Sequence, residues 1–357
     1  MLASLDVEAL AGRLAEARGS STGAKATAVK ALRLGLLGAA KDWTEEGLAA
    51  LDVGAWARPT LLGLDPSPSL SIAAEAPSSD DTLRLALEAR DGALIESVLI
   101  PGPQRTTLCV SSQVGCARAC SFCETGRLGL LRHLEAGEIV DQVRVASAVW
   151  RARGKGAPLQ NLVFMGMGEP FDNLTEVLAA IRVLTDDRLF AFASSRVTVS
   201  TVGVADKLEA FFAGCRAELA VSLNAPDDAR RDAIMPVNRR VPIDALMKRL
   251  AETLPAGRRV LFEYVLFGGF NDALADADLL ADLSRRVRCR VNVIPCNPGP
   301  DPLLVPPGAE KLEAFVARLS SQGVTTLVRR PRGRDVGGAC GQLAGALRKD
   351  EPPTKLA

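Results

Sequence analysis

The sequence has almost no histidine and few aromatic residues other than phenylalanine. Its 357 residues include one His, one Tyr and three Trp, against eleven Phe. A zinc site made of cysteine and histidine, or a Ser-His-Asp hydrolase, would have to use the single histidine, His133. The surrounding stretch, "LLRHLE", predicts an exposed residue at the start of a helix. Both classes are therefore disfavoured.

The sequence also lacks long apolar runs. No stretch approaches the roughly 20 apolar residues of a membrane span. The first residues, "MLASLDVEALAGRLAEARG", carry acids where a signal peptide would have an uninterrupted apolar segment. We therefore expect a cytoplasmic protein with no membrane segment. In that reducing compartment, clustered cysteines favour metal ligands or catalytic residues over structural disulfides.

Neither sign of charge is in clear excess. The chain has 43 Lys and Arg against 42 Asp and Glu, so it lacks the strong basic character typical of nucleic-acid-binding proteins. The charges are unevenly spread. Residues 1–105 hold ten basic and fourteen acidic side chains, a net of −4, and residues 323–357 hold seven basic and three acidic, a net of +4. If RNA binds, we expect it to approach through the C-terminal half.

The pattern of apolar residues divides the chain into regions. Residues 1–55 have helical spacing. Residues 58–81 are rich in Pro and Ser and predict a linker or an irregular crossing, and residues 82–101 alternate around "RDG" as in a hairpin. We predict four regions: an N-terminal helical accessory region and linker (1–75), a β-hairpin extension (76–105), a catalytic core (106–346) and a C-terminal tail (347–357).

From residue 106 onward, predicted strands alternate with helices, which indicates parallel βαβ units. Periodicity does not decide between a closed barrel, a partial barrel and a doubly wound sheet. In barrels the chemistry lies at the C-terminal ends of strands, and the motifs "GMGEP", "STVG", "SLNAP" and "PCNPGP" follow predicted strands here. The predicted strands are 106–112, 161–166, 195–201, 217–223, 259–267, 290–295 and 325–330, and the predicted helices are 136–154, 173–185, 205–213, 242–254, 273–286 and 309–321.

Three of the eight cysteines, Cys116, Cys120 and Cys123, have the spacing C-x3-C-x2-C. A structural zinc site needs four ligands, commonly two C-x2-C pairs. Three thiolates can instead hold an iron–sulfur cubane whose remaining iron is open to a substrate. Such an open iron is what a radical enzyme needs to bind and reductively cleave S-adenosylmethionine (SAM). A zinc site and incidental cysteines remain the alternatives at this stage.

Six segments together identify a family resemblance. They are "CVSSQVGCARACSFCETG", "VFMGMGEPFDN", "RVTVSTVGV", "VSLNAPDDARRDAIMPVNR", "VIPCNPGP" and "RRPRGRDVGGACGQLAG". In order and spacing they resemble the RlmN/Cfr family of radical-SAM RNA methyltransferases, over about residues 80–346. The resemblance implies an α/β fold, a partial or full (βα) radical-SAM barrel with a small N-terminal helical accessory domain. It also implies SAM and one 4Fe-4S cluster per subunit, held by the three cysteines.

The resemblance further implies methylation of an adenine ring carbon, C2 more than C8, in 23S rRNA and in tRNA. Cys340 would carry the methyl group as S-methylcysteine, Cys109 would form a transient disulfide with Cys340, and Glu96 would accept the proton. A reactive thiol needs electropositive surroundings, which we expect from arginines close to Cys340 in sequence. These are Arg330, Arg332 and Arg334.

The family's SAM contacts correspond to polar or glycine residues at predicted strand ends. Asn224 stands where relatives usually have histidine, and the other cysteines, Cys215, Cys289 and Cys296, are expected to be structural. The expected partners are RNA and an electron donor such as flavodoxin or ferredoxin, and we expect a monomer. Two alternatives remain: the same radical chemistry on another RNA or a small molecule, and a non-enzymatic zinc-stabilised binding module. The SAM-contact positions are Gly168, Glu169, Ser200, Ser222, Leu223, Asn224 and Asn297.

Overall fold

The structure is a computed structural model that describes residues 1–38, 43–154, 156–297, 299 and 301–343. The predicted tail at 347–357 and the last residues of the predicted core lie outside these ranges. None of the helices in these ranges is both long and apolar enough to cross a membrane.

The described part of the chain contains twelve α-helices and twelve β-strands. The helices are α1 (Val7–Arg18), α2 (Ala24–Leu36), α3 (Glu45–Ala50), α4 (Arg58–Leu62), α5 (Glu124–Arg127), α6 (Ala136–Arg153), α7 (Leu174–Thr185), α8 (Leu208–Gly214), α9 (Asp228–Ile234), α10 (Ile243–Thr253), α11 (Leu274–Arg285) and α12 (Ala309–Ser321). The strands are β1 (Leu70–Pro77), β2 (Leu83–Ala89), β3 (Leu94–Pro101), β4 (Thr106–Cys109), β5 (Gln113–Cys116), β6 (Gly129–His133), β7 (Leu159–Phe164), β8 (Val197–Thr201), β9 (Glu218–Ser222), β10 (Val260–Leu266), β11 (Cys289–Pro295) and β12 (Thr326–Val328).

Ten strands form one sheet in the order β1-β2-β3-β4-β7-β8-β9-β10-β11-β12. The strands from β4 to β12 pair in parallel, and β1 to β4 pair antiparallel. Within the described residues β1 and β12 each have one neighbouring strand, so the barrel is open. The predicted α/β fold is confirmed. The sequence allowed either a full or a partial barrel, and the structure is the partial barrel. Strands β5 and β6 form a separate two-stranded ribbon.

Helix α6 illustrates how the local sequence builds this fold. Its N-terminus has a capping box, in which Glu138 Oε2 accepts a hydrogen bond from the Glu135 backbone N–H at 2.9 Å. Its apolar residues, including Ile139 and Val143, are fully buried. The helix ends at Arg153 and is capped by Gly154, whose φ of 61° is the left-handed conformation that glycine adopts at low cost. Capping and apolar spacing together explain why 136–154 was predictable.

The N-terminal helices share the core of the barrel. Leu10, Leu14 and Leu32 are fully buried and belong to the same hydrophobic cluster as the strands. At about 25 cal/mol per Å² of buried apolar surface, burial of such side chains stabilises the packing of α1 and α2 within this cluster. The helical region predicted for residues 1–55 is therefore packed as part of the main body.

The segment 58–81 differs from the predicted linker, because it contains α4 and the edge strand β1. Of the eight residues of β1, Leu70 alone is buried, and the strand ends at Pro77. A strand exposed on both faces has no alternation of apolar and polar residues, so its sequence carries no strand signal. The ribbon β5–β6 and the short helix α9 were also absent from the sequence prediction.

Candidate active site

A cavity of about 160 Å³ lies at the C-terminal ends of the parallel strands. This is the edge at which barrel enzymes carry their chemistry. Four predicted positions, Glu96, Cys109, Leu223 and Asn297, are not part of its lining. Nine predicted residues do line it: Cys116, Cys120, Cys123, Gly168, Glu169, Ser200, Ser222, Asn224 and Cys340.

The three clustered cysteines lie in one short loop, which begins at the end of β5 and closes on itself. Cys116 is the last residue of β5, and Cys123 is the N-cap of α5. The Cys123 N–H donates to Cys120 O at 3.1 Å, and the Gly126 N–H donates to Cys123 O at 3.1 Å. A Cβ on Gly126 would lie 3.2 Å from Cys120 N, so a larger residue would push against the loop. The fold therefore turns all three side chains to one cavity.

Burial makes these thiols poor acids in the metal-free protein. It raises the pKa of Cys116 to about 12 and also raises the pKa values of Cys120 and Cys123. A bound metal centre reverses this effect, because its positive charge stabilises the thiolate. No group of three or more His, Cys, Asp and Glu within the described ranges is arranged to hold a single metal ion. Three thiols around one cavity fit the ligand chemistry of an iron–sulfur cluster, whose sulfur ligands are spread around several irons.

Gly168 and Glu169 form a rigid part of the cavity wall. Gly168 has a φ of +99°, and a Cβ there would lie 2.5 Å from Gln113 Cβ, so the position requires glycine. The Glu169 side chain is buried, and its two oxygens accept backbone N–H groups of Phe171 at 2.9 Å and Val202 at 2.8 Å. Burial raises the pKa of Glu169 to about 7 even though these hydrogen bonds oppose the shift. The carboxyl group is thus held in one orientation beside the cavity.

Polar residues from β8 and β9 form the neighbouring wall. Ser200 Oγ and Ser222 Oγ lie 3.5 Å apart. Asn224 has a φ of 58°, a conformation that asparagine tolerates better than most residues. Its Oδ1 accepts the Val265 N–H at 3.0 Å, so its amide is engaged by the protein. The neighbouring Leu223 side chain is fully buried outside the cavity.

The folded chain brings Cys340 within electrostatic range of Cys109, although 230 residues lie between them in sequence. Cys109 ends β4 and is buried, and Cys340 lines the cavity. Burial, followed by the charge of Cys340, raises the pKa of Cys109 to about 12. Arg329 opposes this shift, and Cys340 in turn raises the pKa of Arg329. All eight cysteines are free thiols in the structure.

The arginine beside Cys340 is Arg329, which is not one of the three arginines expected there from sequence proximity. Arg332 binds Asp80, with Nε 2.8 Å from Oδ2, and Arg334 Nε donates to Asn297 Oδ1 at 2.7 Å. Arg330 is exposed and does not line the cavity. Arg329 follows β12 directly and is partly buried, whereas Arg330 is exposed. The exposed residues Leu327 and Val328 show no alternation along β12, so the sequence carried no signal that distinguishes the two arginines.

Two buried glutamates lie on the inner face of the sheet. Glu96 on β3 is fully buried and accepts from Arg84 Nη1 at 3.0 Å. It faces the same side as Cys109, because Val98 and Cys109 are directly paired. Glu263 on β10 was not predicted as a site residue; it lines the cavity and accepts from Asn292 Nδ2 at 2.8 Å. An acid inside the apolar strand "VLFEYVL" was the available signal for Glu263.

Comparison with known proteins agrees with this geometry. Residues 110–280 match the Radical SAM superfamily. The Dual-specificity RNA methyltransferase RlmN of Anaeromyxobacter dehalogenans (strain 2CP-C) is 45% identical over 293 residues, which cover 81% of this chain and 79% of that protein. The chain belongs to the RlmN/Cfr family of radical-SAM RNA methyltransferases. This membership sets aside the zinc-stabilised binding module.

Two further similarities extend over nearly the whole chain. The Probable RNA methyltransferase sce1580 of Sorangium cellulosum (strain So ce56) is 69% identical over 356 residues, which are 98% of this chain and 89% of that one. The crystal structure of a radical SAM methyltransferase from Sphaerobacter thermophilus superposes with a TM-score of 0.83 at 38% identity, covering 96% of this chain and 98% of that one. Both similarities include the N-terminal helices, so this RlmN/Cfr family member shares that region with relatives.

Proposed function

We propose that this enzyme methylates a ring carbon of adenine in RNA, C2 rather than C8, by way of an S-methylcysteine at Cys340. The proposed substrates are 23S rRNA and, as a second target, tRNA. The relatives named dual-specificity RNA methyltransferases support an RNA substrate. The observation that carries the proposal is that Cys340 and the three clustered cysteines line one cavity.

The proposed cofactors are SAM and a 4Fe-4S cluster held by Cys116, Cys120 and Cys123. When bound together they would supply a methyl group and a radical able to abstract hydrogen. The electron-poor ring carbon of adenine is a weak nucleophile, which is why radical chemistry is needed. Glu169 and Gly168 would hold the amino-acid end of SAM, and the serines of β8 and β9 would contact its polar groups. Leu223, Asn224 and Asn297 complete the proposed SAM-contact positions.

The remaining roles belong to the chain's own side chains. Cys340 would accept the methyl group and present it to the base. Glu96 would take up the proton that leaves the ring carbon. Cys109, as a thiolate, would then attack the sulfur of Cys340. A disulfide forms, the carbon–sulfur bond breaks, and the methylene carbon left on the base keeps the bonding electron pair and takes up a proton to become the methyl group. An electron donor such as flavodoxin or ferredoxin would feed electrons to the cluster, and a two-electron thiol reductant would restore both thiols.

Mass spectrometry of modified nucleosides tests this function. Unmodified 23S rRNA and tRNA are incubated with SAM, reductant and the cluster-loaded enzyme, and their nucleosides are compared with standards for 2-methyladenosine and 8-methyladenosine. We expect 2-methyladenosine with the native enzyme and none with Cys340→Ala. Cys289→Ala is the matched control, because Cys289 lies on β11 and does not line the cavity. Methylation by Cys340→Ala at the native rate would overturn the proposal.

The same experiment addresses the competing substrate class. If the native enzyme consumes SAM but leaves both RNAs unmodified, the alternative of another RNA or a small molecule replaces the proposal. The division into accessory region (1–75), hairpin extension (76–105) and core (106–346), the monomeric state and the cytoplasmic location are proposed on the same footing. Size-exclusion chromatography with light scattering checks the monomer.

A further inference from the structure

The loop that carries Cys340, residues 332–343, is anchored at both ends by other parts of the chain. On its C-terminal side it meets the loop of the three cysteines: Gly341 O accepts the Glu124 N–H at 2.8 Å, and Leu343 O accepts Thr125 Oγ1 at 3.1 Å. Near its centre, the Asn297 amide donates to Cys340 O at 3.2 Å. These contacts all lie beside the cavity already described.

The N-terminal side of the loop is held by the turn between β1 and β2, more than 250 residues away in sequence. Asp80 Oδ2 accepts from Arg332 Nε at 2.8 Å and from the Gly333 N–H at 3.1 Å. Arg332 Nη2 also donates to Asp80 O at 2.5 Å. Asp335 accepts from Ser78 Oγ at 2.5 Å and from the Ser79 N–H at 2.9 Å. Both partners therefore contribute a carboxylate to the same junction.

The junction is also sterically close. Gly333 has a φ of +67°, and a Cβ there would lie 2.8 Å from Thr82 Cγ2 in the turn. The Gly338 N–H donates to Gly333 O at 2.8 Å. This hydrogen bond extends the restriction of the backbone from Gly333 to Gly338, which lies two residues before Cys340. Although burial opposes it, hydrogen bonds from Thr82 and Gly333 hold the pKa of Asp80 below its usual value. The Asp80 carboxylate is therefore ionised at neutral pH, the state in which it accepts the hydrogen bonds from Arg332 and Gly333.

We propose that the β1–β2 turn is a positioning element for Cys340, acting through Asp80 and through the pair Ser78–Asp335. The inference rests on the proposed function, in which the sulfur of Cys340 meets two partners in turn, the base and Cys109. The loop contains glycines at 333, 337, 338 and 341, and a chain so rich in glycine samples many conformations unless it is held. The turn restricts the loop to the conformation that directs Cys340 into the cavity.

A structural role alone would give a different result from a positioning role. Charge pairs at an exposed rim add little to the free energy of unfolding, so loss of Asp80 should leave global stability almost unchanged. The proposal instead places the effect on the loop and on the reaction of Cys340. The positioning role requires that the KM for RNA be retained while the rate of methyl transfer to Cys340 falls.

The test compares Asp80→Asn with Asp81→Asn in the cluster-loaded enzyme. Asp81 lies in the same turn, is exposed, and has a φ of 67° that asparagine also adopts. Hydrogen exchange of residues 333–343 measures the loop, and mass spectrometry of the intact protein measures methyl transfer to Cys340. Since charge-assisted hydrogen bonds are lost, we expect Asp80→Asn to speed exchange and slow methyl transfer by about tenfold each. Asp81→Asn should match the native enzyme, and Asp80→Glu should recover part of the loss.

The outcomes of this test separate a positioning role of the turn from a purely structural role, and both from failure of the proposed function. If Asp80→Asn and the double variant Ser78→Ala, Asp335→Asn leave loop exchange and methyl transfer unchanged, the positioning role is wrong. A loss of thermal stability equal for Asp80→Asn and Asp80→Glu, with no selective change in the loop, would also contradict it. If the proposed function is wrong, Cys340→Ala will methylate RNA fully. The hydrogen-exchange rates of residues 333–343 in Asp80→Asn would still show whether the turn restrains the loop.

Discussion

The loop of the three cysteines and the loop of Cys340 face the same cavity but differ in how their cysteines are positioned. In the first, residues 116–126, hydrogen bonds between its own residues join Cys120, Cys123 and Gly126, and the Ser121 N–H donates to Ile234 O at 3.0 Å. The second, residues 332–343, is held by a turn more than 250 residues away and by the first loop. The spacing of the three cysteines can be recognised in the sequence. The position of the Cys340 loop depends on residues far away in the sequence, so it is seen only in the folded chain.

The strongest test of this difference removes one cysteine of the local set. Cys120→Ala should abolish RNA methylation, because a cubane bound by two thiolates is lost easily. Iron analysis of anaerobically purified protein should fall from about four irons per chain to background. Cys215→Ala, at a partly buried position outside the cavity, should keep both iron and activity. Native iron content in Cys120→Ala would remove this residue from the ligand set.

The second test concerns the charge beside Cys340. Arg329→Gln should slow RNA methylation by about tenfold or more, since a charge-assisted interaction with the thiols is lost. Iron content should stay native, because Arg329 lies beside Cys340 and not in the loop of the three cysteines. This result would show that the two loops have separate functions. Arg330→Gln is the matched control on the adjacent, exposed position. Equal effects of the two substitutions would show that only the overall charge matters.

A smaller effect is expected where the two loops touch. Thr125→Val removes the hydrogen bond to Leu343 O but keeps the side-chain volume. A neutral hydrogen bond contributes about 1 kcal/mol, so we expect hydrogen exchange at the end of the Cys340 loop to rise by roughly fivefold. Thr125→Ser should restore the native exchange rate. A native rate in Thr125→Val would mean that the hydrogen bond from Thr125 to Leu343 O does not restrain the Cys340 loop.

The smallest expected effect is on stability and concerns Glu263. Burial raises its folded-state pKa above the ordinary value of 4.5, so the folded protein holds this proton more tightly than the unfolded chain does. The contribution of Glu263 to the free energy of unfolding should therefore be full below pH 4.5 and should fall as the pH rises toward its folded-state pKa. Glu263→Gln should flatten this decline in urea titrations between pH 5 and 8, while the exposed Glu88→Gln should not. An unchanged slope would contradict the assignment.

Much of the fold and part of the site could be predicted from particular residues. The helix over 136–154 and the strand ends carrying Ser200 and Ser222 followed from periodicity, and the C-x3-C-x2-C spacing indicated an iron–sulfur site. Strand β1 could not be predicted because apolar and polar residues do not alternate along it. Arg329 was missed because charge clustering does not reveal which arginine points inward.

The contacts of the β1–β2 turn could not have been predicted from the sequence for a related reason. Asp80 lies in a stretch rich in Pro and Ser that predicts a linker, and an acid in a linker is normally solvated. Its partner Arg332 was assigned to the surroundings of Cys340 from sequence proximity alone. Pairing over 252 positions depends on the antiparallel strands that extend the barrel, and such pairing leaves no periodic signal.

The most direct test of the central claim follows a labelled methyl group. The native enzyme, loaded with its cluster and given SAM with a deuterated methyl group but no RNA, is digested and the peptide containing Cys340 is analysed by mass spectrometry. We expect one labelled methyl group on Cys340, which appears in an adenine of 23S rRNA after the RNA is added. Label that reaches RNA while Cys340 stays unmodified, or that reaches RNA equally in Cys340→Ala, would contradict it.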